Sequence, residues 1–312
     1  VTGILHFYRP GAFHLTLRQR QRLRFRLWLA QHWRIPVVVT DAGGWWQDNR
    51  SLRFLSRRLL ERKLMNRSAL ILGYTRLPEQ LYPNKRIRRR VRCLPHPGFR
   101  GYYPAPLPRA QARPQLGLPV NARFVYLCFA SAHTEQELLF LFEAYNEMIK
   151  HQSRQEGLQG ERPQLLLVGT PQDKKIATRV LGQAARIPTV HLSMTAPRQE
   201  DMPLYLGAGN AIVMPHFAVH TAGMLETALL GLSYELVVVA PNLPRFRGML
   251  PPRASVLYTP SSRDALRDAL LKAQALAYSL TKQEATALDA QSGWSQYAYR
   301  LAKMYFEILG RT

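Results

Sequence analysis

Six short apolar runs alternate with longer amphipathic stretches along this chain of 312 residues. Short runs rich in β-branched residues are typical of strands buried on both faces, and the longer stretches carry apolar residues at helical spacing. The pattern therefore predicts an α/β fold in which helices cover parallel sheets. The predicted strands are Ile35–Thr40, Leu70–Gly73, Phe124–Phe129, Leu165–Gly169, Ala211–Met214 and Leu236–Pro241. The predicted helices are Ser51–Met65, Glu135–Lys150, Lys174–Ala185, Gly223–Gly231, Asp264–Leu276 and Gly293–Leu309.

The segment 94–120 separates two such α/β parts. It holds seven prolines, and proline resists both helix interiors and central strands, so the segment is predicted to be a linker. We therefore expect an N-terminal domain over 1–100, a second domain over 101–292 and a terminal helix within 293–312.

Positive charge is concentrated in the first hundred residues. They hold 22 Lys and Arg against four acids, a net charge of +18, whereas residues 101–312 hold 21 against 16, a net charge of +5. Such asymmetry indicates a polyanionic partner, and an anionic membrane surface is expected. The alternative is that these side chains only solvate the surface. The expected contacts are Arg18, Arg20, Arg22, Arg24, Arg26, Arg86, Arg88, Arg89 and Arg90.

The stretch Leu15–Trp33, which carries the first five of these arginines, is ambiguous. The arginines alternate with Leu23, Phe25 and Leu27 in strand period, but the length of the stretch favours a helix. Nucleic acid is an unlikely partner, because no zinc-finger or helix-turn-helix pattern accompanies the charge.

Compartment and cofactors follow from what the sequence does not contain. The two cysteines, Cys93 and Cys128, form no disulfide framework, and the sequence has no signal-peptide pattern, so a cytoplasmic location is expected. No G-x-G-x-x-G motif follows a strand, so no nucleotide cofactor is expected.

His216 and His220 have a spacing found in some zinc sites, but Phe217 stands where a metalloprotease has glutamate. No metal site is therefore predicted.

The stretch 214–241 predicts a strand end, a loop, a helix and a second buried strand. The helix is opened by Thr221-Ala222-Gly223, and Glu226 lies in its first turn. Free N–H groups at a helix N-terminus bind phosphate. This unit resembles the donor-binding segment of the GT-B glycosyltransferases, specifically the large family-4 retaining group. The resemblance implies that Glu226 holds a donor ribose and that His216 and Thr221–Gly223 face the nucleotide-sugar. The alternative for Glu226 is a favourable position in the helix dipole.

The resemblance extends to the proline-rich segment. His96-Pro97 through Tyr103-Pro104 and Ala112-Arg113 through Leu118 match an interdomain element of a bacterial subgroup. The resemblance implies two Rossmann-like domains and a terminal helix that crosses back to the first domain. It also implies retaining, metal-independent transfer of a sugar from a nucleoside-diphosphate sugar to a hydroxyl acceptor, which is lipid-linked or a saccharide. The family's first strands have no counterpart before Gly3, so the N-terminal domain is expected to be incomplete.

Two donor-clamp cations of the family are replaced in this chain. Where the family has Arg and Lys after the first strand of the second domain, this sequence has Ser131 and Gln136, and Glu135 and Glu137 add charge of the wrong sign. Only Glu226 remains of the family's paired glutamates, because Ala218 occupies the other position.

These losses leave two interpretations open. Arg245 and Arg247 follow the next strand and either replace the clamp or simply solvate a loop. Reduced activity is expected, and the alternative is an inactive pseudo-glycosyltransferase that acts as a scaffold at anionic membranes.

Overall fold

The computed structural model describes most of the chain as two compact units. The N-terminal unit comprises residues 1–97 and 292–312, and the C-terminal unit comprises residues 98–291. The described residues are 3–9, 17–41, 63–74, 85–155, 162–169, 174–193, 195–217, 224–247, 249–279 and 293–310.

The N-terminal unit is built on a parallel sheet of four strands in the order β1-β2-β3-β4. Its strands are β1 (Leu5–Arg9), β2 (Val37–Asp41), β3 (Leu70–Gly73) and β4 (Val91–Cys93), and its helices are α1 (Leu17–His32), α2 (Lys85–Arg88) and α10 (Trp294–Ile308). Residues 63–67 are also helical. The described part of the stretch 15–33 is therefore helical from Leu17 to His32, which agrees with the helix predicted from the length of the stretch.

Both faces of this sheet are covered, which explains why its central strands are mostly apolar. Side chains of a strand point alternately to the two faces. Val37 and Val39 pack on one side with Leu27 of α1, whereas Val38 packs on the other side. That second face is covered by α10 through Tyr297, Leu301, Met304, Tyr305 and Ile308.

The C-terminal unit is built on a parallel sheet of six strands in the order β10-β9-β8-β5-β6-β7. Its strands are β5 (Val125–Phe129), β6 (Gln164–Val168), β7 (Val190–Ser193), β8 (Ala211–Val213), β9 (Val237–Pro241) and β10 (Ser255–Tyr258). Its helices are α3 (Arg109–Gln115), α4 (Glu135–Gln155), α5 (Lys174–Ala184), α6 (Met202–Ala208), α7 (Met224–Ser233), α8 (Pro244–Arg247) and α9 (Arg263–Ser279).

Helices lie close against this sheet. The main core joins β5, β6, β8 and β9 to α4 and α9. On α7, a Cβ added to Gly231 would lie 2.5 Å from Cγ2 of Ile212 in β8. Only glycine allows the helix to approach the strand this closely, because any side chain would push the two apart.

Most of the proline-rich segment belongs to the C-terminal unit. The backbone N–H of Phe99 donates to Oγ of Ser233 at 2.7 Å, and Leu107 N–H donates to the Pro203 carbonyl at 3.1 Å. The buried guanidinium of Arg113 donates to Oδ1 of Asn210 and to three backbone carbonyls, those of Ala208, Val120 and Ala122. Beyond Pro97 the segment predicted as a linker is thus packed through backbone and side-chain hydrogen bonds.

Among the described residues, no helix is both long enough and apolar enough to cross a bilayer.

Candidate functional site

The strand order of the C-terminal unit identifies one edge of the sheet as the place for a ligand. Counted from β5, the order is three-two-one-four-five-six, so successive strands are added outward in opposite directions on either side of the parallel pair β5 and β8. In open parallel sheets of this kind, ligands bind outside the carboxyl ends of the strands at such a switch point. The segments that follow β5 and β8 therefore form the candidate site.

The segment after β5 leads into a reciprocally capped helix. A short 3₁₀ turn, Ala130–Ala132, follows the strand, and Thr134 precedes α4. Glu137 Oε2 accepts from the Thr134 backbone N–H at 2.8 Å and from its hydroxyl at 3.1 Å, and Thr134 Oγ1 accepts from Glu137 N–H at 3.3 Å. This is a capping box, in which two orphan donors of the helix end are satisfied.

The same carboxylate connects α4 to the segment after β8. Glu137 Oε1 accepts from the Phe217 backbone N–H at 3.0 Å and lies 3.4 Å from Nδ1 of His216. The hydroxyl of Tyr258 on β10 donates to the Met214 carbonyl at 2.9 Å. The Glu137 contacts hold the two segments together at the switch point, and the Tyr258 bond joins the second segment to β10.

His133, Glu137 and His216 form a buried cluster at this edge. Their candidate ligand atoms all lie within 4.8 Å of one another, and the two imidazole centroids are 4.2 Å apart. Burial opposes ionisation of Glu137, but hydrogen bonds from His216, Thr134 and Phe217 outweigh it and lower the pKa of this carboxyl to about 2. Burial, reinforced by His216, holds the pKa of His133 well below its ordinary value. The cluster is thus an anionic carboxylate beside a neutral His133 imidazole.

The two positions of the missing clamp cations are both exposed. Ser131 lies near Gly169 at the end of β6, since a Cβ on that glycine would lie 3.5 Å from the Ser131 hydroxyl oxygen. Gly169 has φ +86°, a conformation that favours glycine. Glu135 and Glu137, the two acids predicted to oppose a diphosphate, have partners of their own. Glu137 takes part in the capping box with Thr134, and Oε1 of Glu135 lies 3.3 Å from a guanidinium nitrogen of Arg179.

Glu226 is the third residue of α7, the helix that follows β8, and its side chain is half-buried. The helix therefore begins at the same edge of the sheet as the buried cluster. Thr221, Ala222 and Gly223 lie outside the described residues, as does His220, which has the spacing of a zinc ligand to His216.

The two arginines expected near a diphosphate lie in α8, which follows β9. The Arg247 side chain is exposed, and its Nε donates to Oδ1 of Asn242 at 2.7 Å. For Arg245, the structure establishes its backbone position in this helix.

Solved structures share the fold of this chain, although no protein-family model and no curated protein sequence matches it. A glycosyltransferase from Rickettsia africae is similar with a TM-score of 0.67 at 12% identity, covering 97% of this chain and 84% of that one. HepE of Anabaena, solved with UDP and glucose, gives a TM-score of 0.65 at 16% identity, covering 91% and 75%. A trehalose 6-phosphate synthase from Burkholderia multivorans gives 0.66 at 14% identity, covering 98% and 72%.

The chain has the GT-B fold. The fold class predicted from the apolar runs and from the family resemblance is thereby confirmed, with two parallel sheets of four and six strands. At these identities the likeness shows the fold, and the roles of Glu226, His216, Arg245 and Arg247 in this GT-B chain stay predictions.

The basic residues of this GT-B chain divide into exposed and internally bonded groups. The side chains of Arg22, Arg24 and Arg26 on α1 are exposed, as are those of Arg86, Arg88 and Arg89. Arg18 and Arg20 are placed by their helical backbone in α1. Arg90 differs, because its guanidinium donates to the carbonyls of Ser68, Asn66 and Arg86 at 2.5–3.0 Å. Its structural bonds make it a weaker candidate for a surface contact.

Sequence reasoning missed the association of His133 and Glu137 with His216. One local signal was present, since Thr134 and Glu137 have the spacing of a capping box before an apolar helix. The contact with His216, which is 79 residues beyond Glu137 in the sequence, depends on β5 and β8 being neighbours in the sheet. No local pattern encodes that pairing.

Proposed function

We propose that the chain binds a nucleoside-diphosphate sugar at the carboxyl edge of its six-stranded sheet and transfers the sugar to a hydroxyl acceptor. The observation that carries this proposal is the switch point between β5 and β8 with Glu226 in the first turn of the following helix. A half-buried carboxylate there is suited to accept hydrogen bonds from the two hydroxyls of a ribose. HepE of Anabaena, with the same fold, was solved with UDP and glucose, which supports a donor of this class.

In this proposal the donor diphosphate is held by backbone N–H groups and by cations. The N–H groups of Thr221–Gly223 would face phosphate. Arg247 lies beyond β9 at the same edge and is exposed, so its guanidinium is accessible for a second hydrogen bond. Arg245, in the same helix, would act with it.

The replaced clamp positions imply slow transfer. Departure of a nucleoside diphosphate develops negative charge that preorganised cations stabilise, and loss of one such contact costs on the order of 10²–10³ in rate. Ser131 and Gln136 supply no such charge. We propose retention of anomeric configuration and a rate well below that of a chain with the full clamp.

Calorimetric titration of the full chain with UDP, ADP and GDP, and with the matching monophosphates, tests the proposal. We expect one diphosphate to bind with one-to-one stoichiometry and more tightly than its monophosphate. Incubation with the corresponding nucleotide-sugars and a hydroxyl acceptor, followed by NMR of the product anomer, tests transfer and retention. Absence of binding to every nucleotide would refute donor binding and would support the inactive scaffold.

For the acceptor side, we propose an anionic membrane surface with a lipid-linked or saccharide acceptor at the inner face of the cytoplasmic membrane. The net charge of +18 over residues 1–100 supports this proposal. The exposed arginines of α1 are accompanied by exposed aromatic side chains, because Phe25, Trp28 and Trp33 are each more than half exposed. Arginine together with tryptophan is typical of segments that lie at a membrane interface.

A further inference from the structure

Three buried side chains at the switch point have the composition of a metal site. His133 lies two residues before α4, Glu137 lies in the first turn of that helix, and His216 reaches them from the segment after β8. We propose that the two imidazoles and the carboxylate bind one zinc ion. This inference departs from the expectation of a metal-free chain.

The separations between the candidate ligand atoms are close to those of a zinc site. Ligands about 2.0–2.2 Å from a tetrahedral zinc lie roughly 3.3–3.6 Å from one another. Nδ1 of His216 is 3.4 Å from Glu137 Oε1, and Nδ1 of His133 is 3.9 Å from Glu137 Oε2. One ligand atom from each of the three residues lies within 4.8 Å of the other two, so zinc binding would draw the widest pair together by about 1 Å.

The second observation is a buried nitrogen that lacks a hydrogen bond. Nδ1 of His133 is inaccessible to solvent and has no hydrogen-bond partner in the part of the chain that the structure describes. The side chain is 2% exposed, and this nitrogen lies 3.9 Å from Oε2 of Glu137, which is too far for a hydrogen bond. Burying a polar atom without a partner is unfavourable. Coordination of a metal ion would satisfy its lone pair.

The surroundings of Glu137 would orient it as a ligand. Its two oxygens already accept from the backbone N–H groups of Thr134 and Phe217, which fix the carboxylate plane. Such outer contacts commonly orient metal ligands. Three protein ligands leave a fourth position open, as in zinc sites that admit water or a substrate oxygen.

A ligand set of two imidazoles and one carboxylate favours zinc over the other abundant divalent ions. Mg²⁺ and Ca²⁺ prefer sites made of oxygen ligands, whereas zinc is commonly bound by histidine together with Asp or Glu. The cluster therefore fits zinc.

A zinc ion here would also change the charge at the donor edge. With Glu137 ionised, a divalent cation would make the cluster net positive, beside a segment in which Ser131 and Gln136 have replaced cations. This consequence rests on the proposed function. It predicts that zinc-loaded protein binds a nucleoside diphosphate more tightly than zinc-free protein.

The experiment is calorimetric titration of the chelator-treated full chain with Zn²⁺, with Mg²⁺ as the comparison ion and Co²⁺ as a spectroscopic probe of tetrahedral coordination. We expect one Zn²⁺ per chain and no comparable binding of Mg²⁺. His133→Asn, His216→Asn and Glu137→Gln should each weaken zinc binding by about 100-fold or more, since loss of outer-shell partners alone costs 10–100-fold. His151→Asn, at the exposed end of the same helix α4, is the matched control and should bind zinc like the parent.

Circular dichroism distinguishes loss of the site from loss of the fold. His133→Asn is the most informative variant, because among the described residues Nδ1 of His133 has no hydrogen bond that the substitution could break. Absence of stoichiometric zinc binding by the parent, or equal zinc affinity of a folded His133→Asn variant, would refute the site. Stoichiometric zinc binding without any effect on nucleotide affinity would keep the metal site and refute only its link to the donor.

Discussion

Nδ1 of the His6 imidazole lies 2.6 Å from the phenol oxygen of Tyr305, a residue 299 positions further along the chain. Nε2 of the same ring lies 2.7 Å from the Thr40 hydroxyl oxygen. The two contacts join β1, β2 and the terminal helix α10 in one half-buried chain of hydrogen bonds. The helix is therefore held on the N-terminal sheet by directional bonds as well as by its apolar face.

Tyr305→Phe should destabilise the protein by about 1 kcal/mol, because the phenol oxygen is lost while the half-buried His6 nitrogen stays. Tyr299→Phe on the same helix is the control, since Tyr299 is 73% exposed. Urea unfolding monitored by circular dichroism would measure both. Equal stability of the Tyr305→Phe variant and the parent would show that the apolar contacts alone hold the helix.

Arg113→Ala should cost about 2–4 kcal/mol of stability, because it leaves several buried acceptors without their charged donor. Arg113→Lys should also destabilise, since a single ammonium, with three protons, cannot reproduce four bonds made from the three nitrogens of a guanidinium. Arg109→Ala, exposed on the same helix α3, should be nearly neutral. Thermal unfolding measures the stability of the three variants. An Arg113→Ala variant as stable as the parent would mean that the proline-rich segment is held in place without this residue.

The sequence predicted the central strands and the long helices of the C-terminal unit well, because burial on both faces produces apolar runs. Most of the predicted helix Ser51–Met65 lies outside the described residues. Leu70–Gly73 was predicted with the bounds that the structure has, and the other five predicted strands differ by one or two residues at their ends. Strands at sheet edges were missed, among them β4, β7 and β10. Edge strands are half-exposed, so polar residues interrupt their apolar pattern.

The basic stretch Lys85–Arg92 shows the same limit. Because the stretch is mostly charged, neither its short helix nor the strand that begins at Val91 was predicted, although Ile87 is fully buried between the arginines. A single apolar residue in a charged run carries too little periodicity to predict an element.

Restoring the clamp should strengthen donor binding. Ser131→Arg combined with Gln136→Lys would place two cations at exposed positions after β5, next to the proposed diphosphate site. Charged hydrogen bonds contribute about 1.5–3 kcal/mol each, so a gain of roughly tenfold or more in nucleoside-diphosphate affinity is expected. Calorimetry measures it, with Ser131→Gln plus Gln136→Ser as the uncharged control. An unchanged affinity would place the diphosphate elsewhere.

Membrane association should depend on the arginines of α1. Replacing Arg22, Arg24 and Arg26 with glutamine should weaken binding to anionic vesicles by about 3 kcal/mol in total, since each basic residue near the headgroups contributes about 1 kcal/mol. Vesicle co-sedimentation across a salt series would measure this effect.

Replacing Arg263 and Arg267 with glutamine is the control, because these arginines of the C-terminal unit already pair with acids. Binding that ignores lipid charge or salt would mean that the α1 arginines only solvate the surface. Tighter, salt-dependent binding to nucleic acid than to vesicles would instead identify a nucleic-acid partner.

The central claim, that α7 presents a ribose-binding carboxylate at the donor edge, is tested most directly by titrating the parent and Glu226→Ala with the preferred nucleoside diphosphate. We predict a loss of about 1.5–3 kcal/mol in the variant, which is roughly 10- to 150-fold in affinity. Asp264→Ala is the matched control, because Asp264 is likewise an acid in the first turn of its helix, α9, so both variants lose a similar helix-dipole contribution. Equal nucleotide affinity of parent, Glu226→Ala and Asp264→Ala would contradict the claim and leave Glu226 as a helix-dipole residue.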